Sequence, residues 1–427
     1  MKKLIFILFI IGQMAMAAQI DSIKVEGIDV PLIFERDTRL PLVNTQIIFT
    51  NSGSITDTKI AGLAKFSAKI LNNGTKKLGS NGFATALESR AIHLSAHTGT
   101  ETFVIETGSL KEEYTDSMKY LKDLLKDPNY TDENLKQVKT MTIGSLSKKE
   151  NDYDYVASNE LKKLLFAGTP LANPSAGTIK SVESIQLKNV EDFVKKHLVI
   201  ARAIVVVGGD VDLQSVKKEV KKVLKLLPKG EKEPLAHYEA SSTPKESILK
   251  RDTKQAYIYF GSPYNMAVND PDYYKARVAT FILGTGGFGS RLMEEIRVKR
   301  GLAYSAYARV HVSKSSSYLT GYLQTKIESM DEAKKTVSAV IEKFVKEGVT
   351  QEELEQTKKF LLGSEPLRVE TMSQRLNRTF MDYYKGFSLD HSAKELQKIK
   401  ALQLKDLNAF IGQHKEILEQ SFAIVTE

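Results

Sequence analysis

The sequence predicts an α+β protein of two tandem homologous domains, each a mixed, mainly antiparallel sheet with helices packed on one face. Three observations predict it: the length, an internal repeat, and the order of elements in each copy. The 427 residues exceed the roughly 250–300 at which one hydrophobic core stops growing. A composition of 42% hydrophobic and 26% charged residues is that of an ordinary globular chain, neither disordered nor a membrane bundle.

The repeat is carried by segments recurring in the same order. Arg36-Asp37-Thr38-Arg39 returns as Arg251-Asp252-Thr253-Lys254, offset by 215. Thr131 to Lys139 returns as Thr350 to Lys358, offset by 219, and Leu187-Lys188 with Phe193 returns as Leu404-Lys405 with Phe410, offset by 217. The apolar run Ala203 to Val207 is matched by Ala423 to Val425. A fixed period of this kind implies duplication of one structural unit. Pro228 to Lys245, with three prolines, a glycine, serines and charges, reads as the joint. The expected boundaries are a domain at 18–228, a linker at 229–245 and a second domain at 246–427.

Each copy opens with strands (Thr45 to Thr50, Ala256 to Phe260), continues with a helix, a shorter helix and a pair of strands, and closes with helices and a last apolar strand. Asp116 to Lys126 and Asp331 to Lys346 have the apolar spacing of helices. Strands at both ends with helices between place the helices together against the sheet.

Lys2 and Lys3, an apolar run from Leu4 to Ile11, and Ala15-Met16-Ala17 form the pattern of a secretory leader, expected to be cleaved after Ala17. The protein is therefore expected to be exported, and periplasmic in a Gram-negative source. No later stretch is apolar enough to span a membrane. The chain has no cysteine, so it has neither disulfides nor thiolate ligands. The net charge of +9 is spread along the chain with no arginine-rich tail, which does not indicate nucleic-acid binding.

The first long helix is expected to start near Thr56-Asp57 and end near Asn73-Gly74. Ile60, Leu63, Ala64, Ile70 and Leu71 fall on one face at ~100° per residue, so Lys65 and Lys69 point away from the core. His93 and His97 lie in a predicted strand, where residues four apart are separated by about 13 Å, too far to share a metal. Gly284 to Gly289 imitates a dinucleotide loop but follows a helical stretch rather than a strand, so it reads as a turn between helices. Gly208-Gly209-Asp210 reads as a turn ending a strand.

The run Gly62-Leu63-Ala64-Lys65-Phe66-Ser67-Ala68-Lys69-Ile70-Leu71, followed by Asn73-Gly74-Thr75, resembles the zinc-site helix of the insulinase/pitrilysin metallopeptidases, in particular the processing-peptidase branch. Gly289 to Ser305, containing Arg291-Leu292-Met293-Glu294-Glu295-Ile296-Arg297 and Arg300-Gly301-Leu302-Ala303-Tyr304, resembles the hallmark of that family's second domain. Leu171-Ala172-Asn173-Pro174 with Gly177-Thr178 resembles a third family stretch. Active members carry His-x-x-Glu-His where this chain has Lys65, Ala68 and Lys69. A protonated lysine has no lone pair for a metal, and alanine cannot take a proton from water. The family's third ligand, a distant glutamate, falls near Gly144 or Ser145, and Glu150 comes several residues too late. The resemblance thus implies a degenerate chain that binds no zinc.

Arg297, in the last turn of a helix stopped by Gly301, and Tyr304, on the next strand, match the family's arginine–tyrosine pair. That pair binds the substrate backbone and supports the developing oxyanion, a role suited to a fixed cation and a phenol. A chain that keeps this pair without zinc resembles the partner subunit of a heterodimer. Such a partner would be a paralogue with an intact His-x-x-Glu-His that holds the zinc, and the substrates would be extended peptides added to a sheet edge. The alternative is a peptide-binding or scaffolding pseudopeptidase, possibly a homodimer, with no proteolytic role.

Overall fold

Two sheets organise the chain, one for each copy of the repeat. The computed structural model describes residues 18–427, so the leader expected at 1–17 lies outside the described residues. The first sheet contains β1 (Gln19–Val25), β2 (Ile28–Arg36), β3 (Leu42–Thr50), β4 (His93–Thr98), β5 (Thr102–Leu110) and β6 (Ala203–Gly209), in the order β1-β2-β6-β3-β5-β4. The second contains β7 (Glu246–Lys250), β8 (Gln255–Pro263), β9 (Ala303–Val312), β10 (Ser317–Lys326) and β11 (Ser421–Thr426), in the order β7-β11-β8-β10-β9. Only β2–β6 and β7–β11 pair in parallel; all other neighbours are antiparallel. Apart from β1, which has no counterpart, the two orders are the same.

The helices of the first copy are α1 (Leu63–Leu71), α2 (Gly79–Glu88), α3 (Tyr114–Lys126), α4 (Asp132–Lys149), α5 (Tyr153–Phe166), α6 (Ile179–Ser184) and α7 (Leu187–His197). After β6 comes α8 (Leu213–Leu224). The second copy has α9 (Tyr273–Thr280), α10 (Arg291–Met293), α11 (Met330–Glu347), α12 (Gln351–Gly363), α13 (Met372–Lys385), α14 (His391–Ala401) and α15 (Leu404–Gln413). The repeated residues do equivalent jobs. The hydroxyls of Thr131 and Thr350 each accept the backbone N–H three residues on and cap α4 and α12, satisfying an otherwise orphaned donor. Phe193 on α7 and Phe410 on α15 enter the cores of their respective domains.

One face of each sheet carries its own domain's helices. In the first domain, Phe49, Phe103, Ile105 and Val205 pack with Ala64 and Ala68 of α1, Met118 and Leu121 of α3, and Val220 of α8. In the second, Ile258, Phe260 and Leu323 pack with Val337 and Ile341 of α11 and Phe410 of α15. The opposite face of each sheet receives one helix from the other domain. Leu376 and Phe380 of α13 lie on Ile33, Ile48, Val104, Ile204 and Val206 of the first sheet. Leu161, Leu165 and Phe166 of α5 lie on Ala423, Tyr259 and Tyr318 of the second. Burial on both faces explains why β6 and β11 are apolar without alternation; every residue of both is buried.

Each borrowed helix comes close over a glycine. A β-carbon on Gly208 would meet Leu376 Cδ1 at 2.5 Å, and one on Gly261 would meet Leu165 Cδ1 at 2.9 Å. The Arg375 guanidinium on α13 reaches Glu35 on β2, with Nε–Oε1 at 2.9 Å and Nη2–Oε1 at 2.5 Å, and touches Asp37 Oδ2 at 3.1 Å. Glu35 is only 2% exposed. Across the same joint Glu101, in the β4–β5 turn, accepts from the Tyr384 hydroxyl at 2.7 Å and from Ser315 N at 2.8 Å.

Residues 229–245 contain no helix or strand, yet the segment is pinned to both domains. The buried Arg202 bonds Glu231 O at 3.0 Å and Glu233 Oε2 at 2.8 Å. Tyr238 N donates to Ser315 O at 2.8 Å, and Ser241 N to Leu165 O at 2.8 Å. Arg202 Nη1 also lies 3.1 Å from His197 Nδ1.

Removing Arg375 strands a buried carboxylate, an uncompensated charge that costs about 3–5 kcal/mol. Arg375→Met is therefore expected to lower stability by that order in denaturant unfolding, and Glu35→Gln in the Met background to recover part of it. Burial first, and the Arg202 charge second, push the His197 imidazole down to about 4 from 6.5. The native state then holds this ring neutral while the unfolded chain takes up a proton, so the contribution is present above pH ~6.5 and is lost as pH falls towards ~4. Burial also lowers His311 to about 4, so it acts in the same window. The thermal midpoint is expected to fall on acidification through that window, and His197→Gln to make the fall shallower in melts at pH 4–7.

Candidate functional site

α1 begins at Leu63, later than the Thr56-Asp57 expected from sequence, because a short 3-10 turn at Ser54–Thr56 and a bend intervene. Asp57 still caps the helix from upstream. Its buried carboxylate accepts Gly62 N at 3.0 Å and Ala64 N at 2.9 Å. Gly62 (φ +86°) packs against Gly177, whose N lies 2.6 Å from where a β-carbon on Gly62 would sit. Ser181 Oγ donates to Ala61 O at 2.8 Å. Thus the stretch ending in Gly177-Thr178 buttresses the start of the degenerate helix.

Lys65 and Lys69 do not point freely into solvent. They leave the sheet core but are half-buried, and Lys69 Nζ donates to Thr142 Oγ1 of α4 at 2.9 Å. Burial first, and neighbouring lysine charge second, hold both below the usual lysine range; Lys149 contributes to each. Lys149, at the end of α4, sits 4.5 Å over the Tyr155 ring. Neither Lys65 nor Lys69 forms an ion pair among the described residues. Ala68 is buried. The α4 residue that meets Lys69 is Thr142, two positions before the expected Gly144 or Ser145, and Glu150 lies beyond the helix end.

These groups do not fit zinc: protonated lysine amines have no lone pair to offer and repel the cation, and a threonine hydroxyl is not one of its usual ligands. Among the described residues no three His, Cys, Asp or Glu side chains gather as a metal site. His93 and His97 share one face of β4 and straddle Glu106 Oε1 of β5 at 3.8 and 4.0 Å.

In the second domain, α10 continues as one π-helical turn, Glu294–Val298, and ends before Gly301 (φ +63°). The extra residue of such a turn reorients side chains, and π-bulges recur at functional sites. Here the turn carries Arg297. Tyr304 opens β9, as the spacing predicted. The Arg297 Cζ lies 4.2 Å from the Tyr304 ring centroid and 4.5 Å from that of Phe288. The guanidinium is therefore sandwiched between two rings. Tyr304 is 81% exposed and Phe288 68%, so both rings face outward.

The neighbouring cations are already paired. Glu295 takes Lys299 at 2.7 Å and Arg300 at 2.5 Å. The Arg297 side chain has no hydrogen bond or ion pair with any described residue, so its donors are available. Phe288 was missed in the sequence reading. Its only signal was an aromatic residue within the glycine-rich stretch Gly284 to Gly289, of which Gly284 and Thr285 belong to a π-helical turn (Phe281–Thr285) and only the residues from Gly286 on form the expected turn before α10.

The family model for insulinase peptidases matches residues 43–179, and the model for the peptidase M16 inactive domain matches residues 184–361. The non-peptidase homologue YmxG of Helicobacter pylori is 43% identical over 397 residues, 93% of this chain and 92% of that protein. Among solved structures, a peptidase M16 inactive domain from Pseudomonas fluorescens matches with a TM-score of 0.87 at 22% identity, covering 96% of this chain and 97% of that one. The periplasmic protease PqqL of Escherichia coli matches with a TM-score of 0.76 at 14% identity, covering 96% of this chain but 47% of PqqL. The chain belongs to the insulinase family, as an inactive member.

With lysines at the ligand positions, neither added zinc nor a chelator is expected to move the thermal midpoint of the isolated chain by more than about 1 °C. A zinc-dependent rise at micromolar metal would contradict the site described here.

Proposed function

We propose that this chain is the non-catalytic, substrate-binding subunit of an exported, heteromeric zinc metalloendopeptidase. In this reading a paralogous partner with an intact His-x-x-Glu-His holds the zinc. This chain supplies Arg297 and Tyr304, which orient the peptide backbone and donate hydrogen bonds to the carbonyl oxygen as negative charge builds on it. The observation that carries the reading is the exposed Phe288–Arg297–Tyr304 stack: a cation with no acceptor of its own, held in place by two rings. The stacking contributes about 0.5–1 kcal/mol at an exposed position, enough to restrict the guanidinium without occupying its donors.

PqqL supports the division of labour, since one copy of this architecture accounts for about half of that protease. Two separate chains supply the same two halves. β4 and β9 close the open ends of their sheets, so each leaves backbone groups free to pair with an extended peptide. Export follows from the leader at 1–17, and the site of action would be the periplasm in a Gram-negative source.

Mixing this chain with the zinc-bearing paralogue is expected to create a peptidase activity that a chelator abolishes. Arg297→Ala is expected to cut kcat/KM about 100-fold or more, the scale of losing an oxyanion donor, and Tyr304→Phe to act in the same direction, with the complex intact by gel filtration. An unchanged rate in the double variant would exclude this role for the pair. Peptide binding by this chain alone, with no activity in any mixture, would favour the pseudopeptidase alternative.

A further inference from the structure

A second cluster of unpaired donors lies away from the Arg297 stack, in the crevice between the two domains. A cavity of about 190 Å³ is enclosed between α5 of the first domain and the β8–β10–β9 face of the second. Lys162 projects from the α5 wall, and Arg309 and His311 from the β9 wall. Tyr259, Tyr307 and Thr320 contribute further lining, and no Asp or Glu lines the cavity.

His311 orients the arginine. Its Nε2 lies 3.0 Å from Arg309 Nε and 3.0 Å from Thr320 Oγ1, and its ring stacks on Tyr318 at 4.7 Å with an interplanar angle of 11°. Burial first, then the charges of Arg309 and Lys162, hold this imidazole neutral at physiological pH. It can therefore accept the Nε–H and leave the two terminal amino groups of the guanidinium free.

The cations are otherwise unengaged. Among the described residues Arg309 has no acidic partner, and Lys162 has neither an ion pair nor a hydrogen bond. The Lys162 side chain is half-buried, and burial alone pulls its amine below the usual lysine range, with no carboxylate to offset that. The acids of α5 are engaged elsewhere: Asp154 accepts from the Tyr259 hydroxyl at 3.2 Å, and Glu160 takes Lys163 at 3.0 Å and Ser247 Oγ at 3.0 Å. Two cations on facing walls of one small cavity repel each other, and a bound anion reverses that repulsion. The planar guanidinium matches a carboxylate edge to edge, while the ammonium adds a point charge.

We infer that this interdomain cavity is a carboxylate-binding site that takes the acidic side chain or the terminal carboxylate of a peptide between Lys162 and Arg309. The site stands whether or not the chain pairs with a zinc-bearing subunit. It also joins the two domains, because one cation comes from each.

The test uses the full mature chain and fluorescent hexapeptides blocked at both ends, carrying either one central Glu or Gln in its place. The Gln peptide with a free C-terminal carboxylate and inorganic phosphate as competitor complete the set. The Glu peptide or the free-carboxylate peptide is expected to bind about tenfold tighter than the blocked Gln peptide, as measured by anisotropy; which of the two gains identifies the source of the carboxylate. Arg309→Gln, at an exposed position, and Lys162→Met, which keeps the stem, are each expected to abolish that preference without changing the circular dichroism spectrum. Equal binding of all three peptides would overturn the assignment. So would a preference that survives both substitutions, or competition by phosphate without any discrimination among the peptides.

Discussion

The architecture depends on a reciprocal exchange of helices. Each sheet has two apolar faces, and its own domain covers only one. The second face is covered by α5 in one direction and by α13 in the other, so neither domain can bury its central strand without its partner. The Arg375–Glu35 contact marks the cost of separating them. Glu35 is buried, and the cation that compensates it arrives on a helix more than 300 residues later in the chain. Separating the halves would leave that carboxylate buried without its cation and expose the second face of each sheet.

Within this frame the two sets of cations stand in different surroundings. Lys65 and Lys69 sit on a helix whose start is held by Asp57 and by the Gly62–Gly177 contact, so the frame of the metal helix persists without its ligands. Arg297 is held by two exposed rings rather than by a carboxylate, which leaves its hydrogen-bonding capacity intact. The first domain therefore presents two half-buried lysines on a well-held helix, and the second an exposed arginine against two rings.

How much could be read beforehand depended on the range of the interaction. The helix stop at Gly301 and the unbroken apolar runs of β6 and β11 are local signals, and each places an element correctly. The start of α1 was misjudged because Asp57 caps from six residues upstream through a bend, a geometry that adjacent-residue rules do not contain. Lys65 and Lys69 point away from the sheet core as helical periodicity places them, but that periodicity knows only one packing face, whereas α4 supplies a second. Phe288 was missed because nothing in a glycine-rich turn indicates that its aromatic ring will stack on a guanidinium nine residues later.

By itself, the sequence determined the doubled α+β plan, the insulinase relationship and the absence of zinc ligands, since these rest on residue identity, short-range periodicity and a repeat visible along the chain. Only the tertiary structure decided which helix covers which sheet, and that Lys162 and Arg309 face one another across a cavity. Those contacts join residues about 95 or more positions apart, and they exist only once both cores have formed and the borrowed helices have docked.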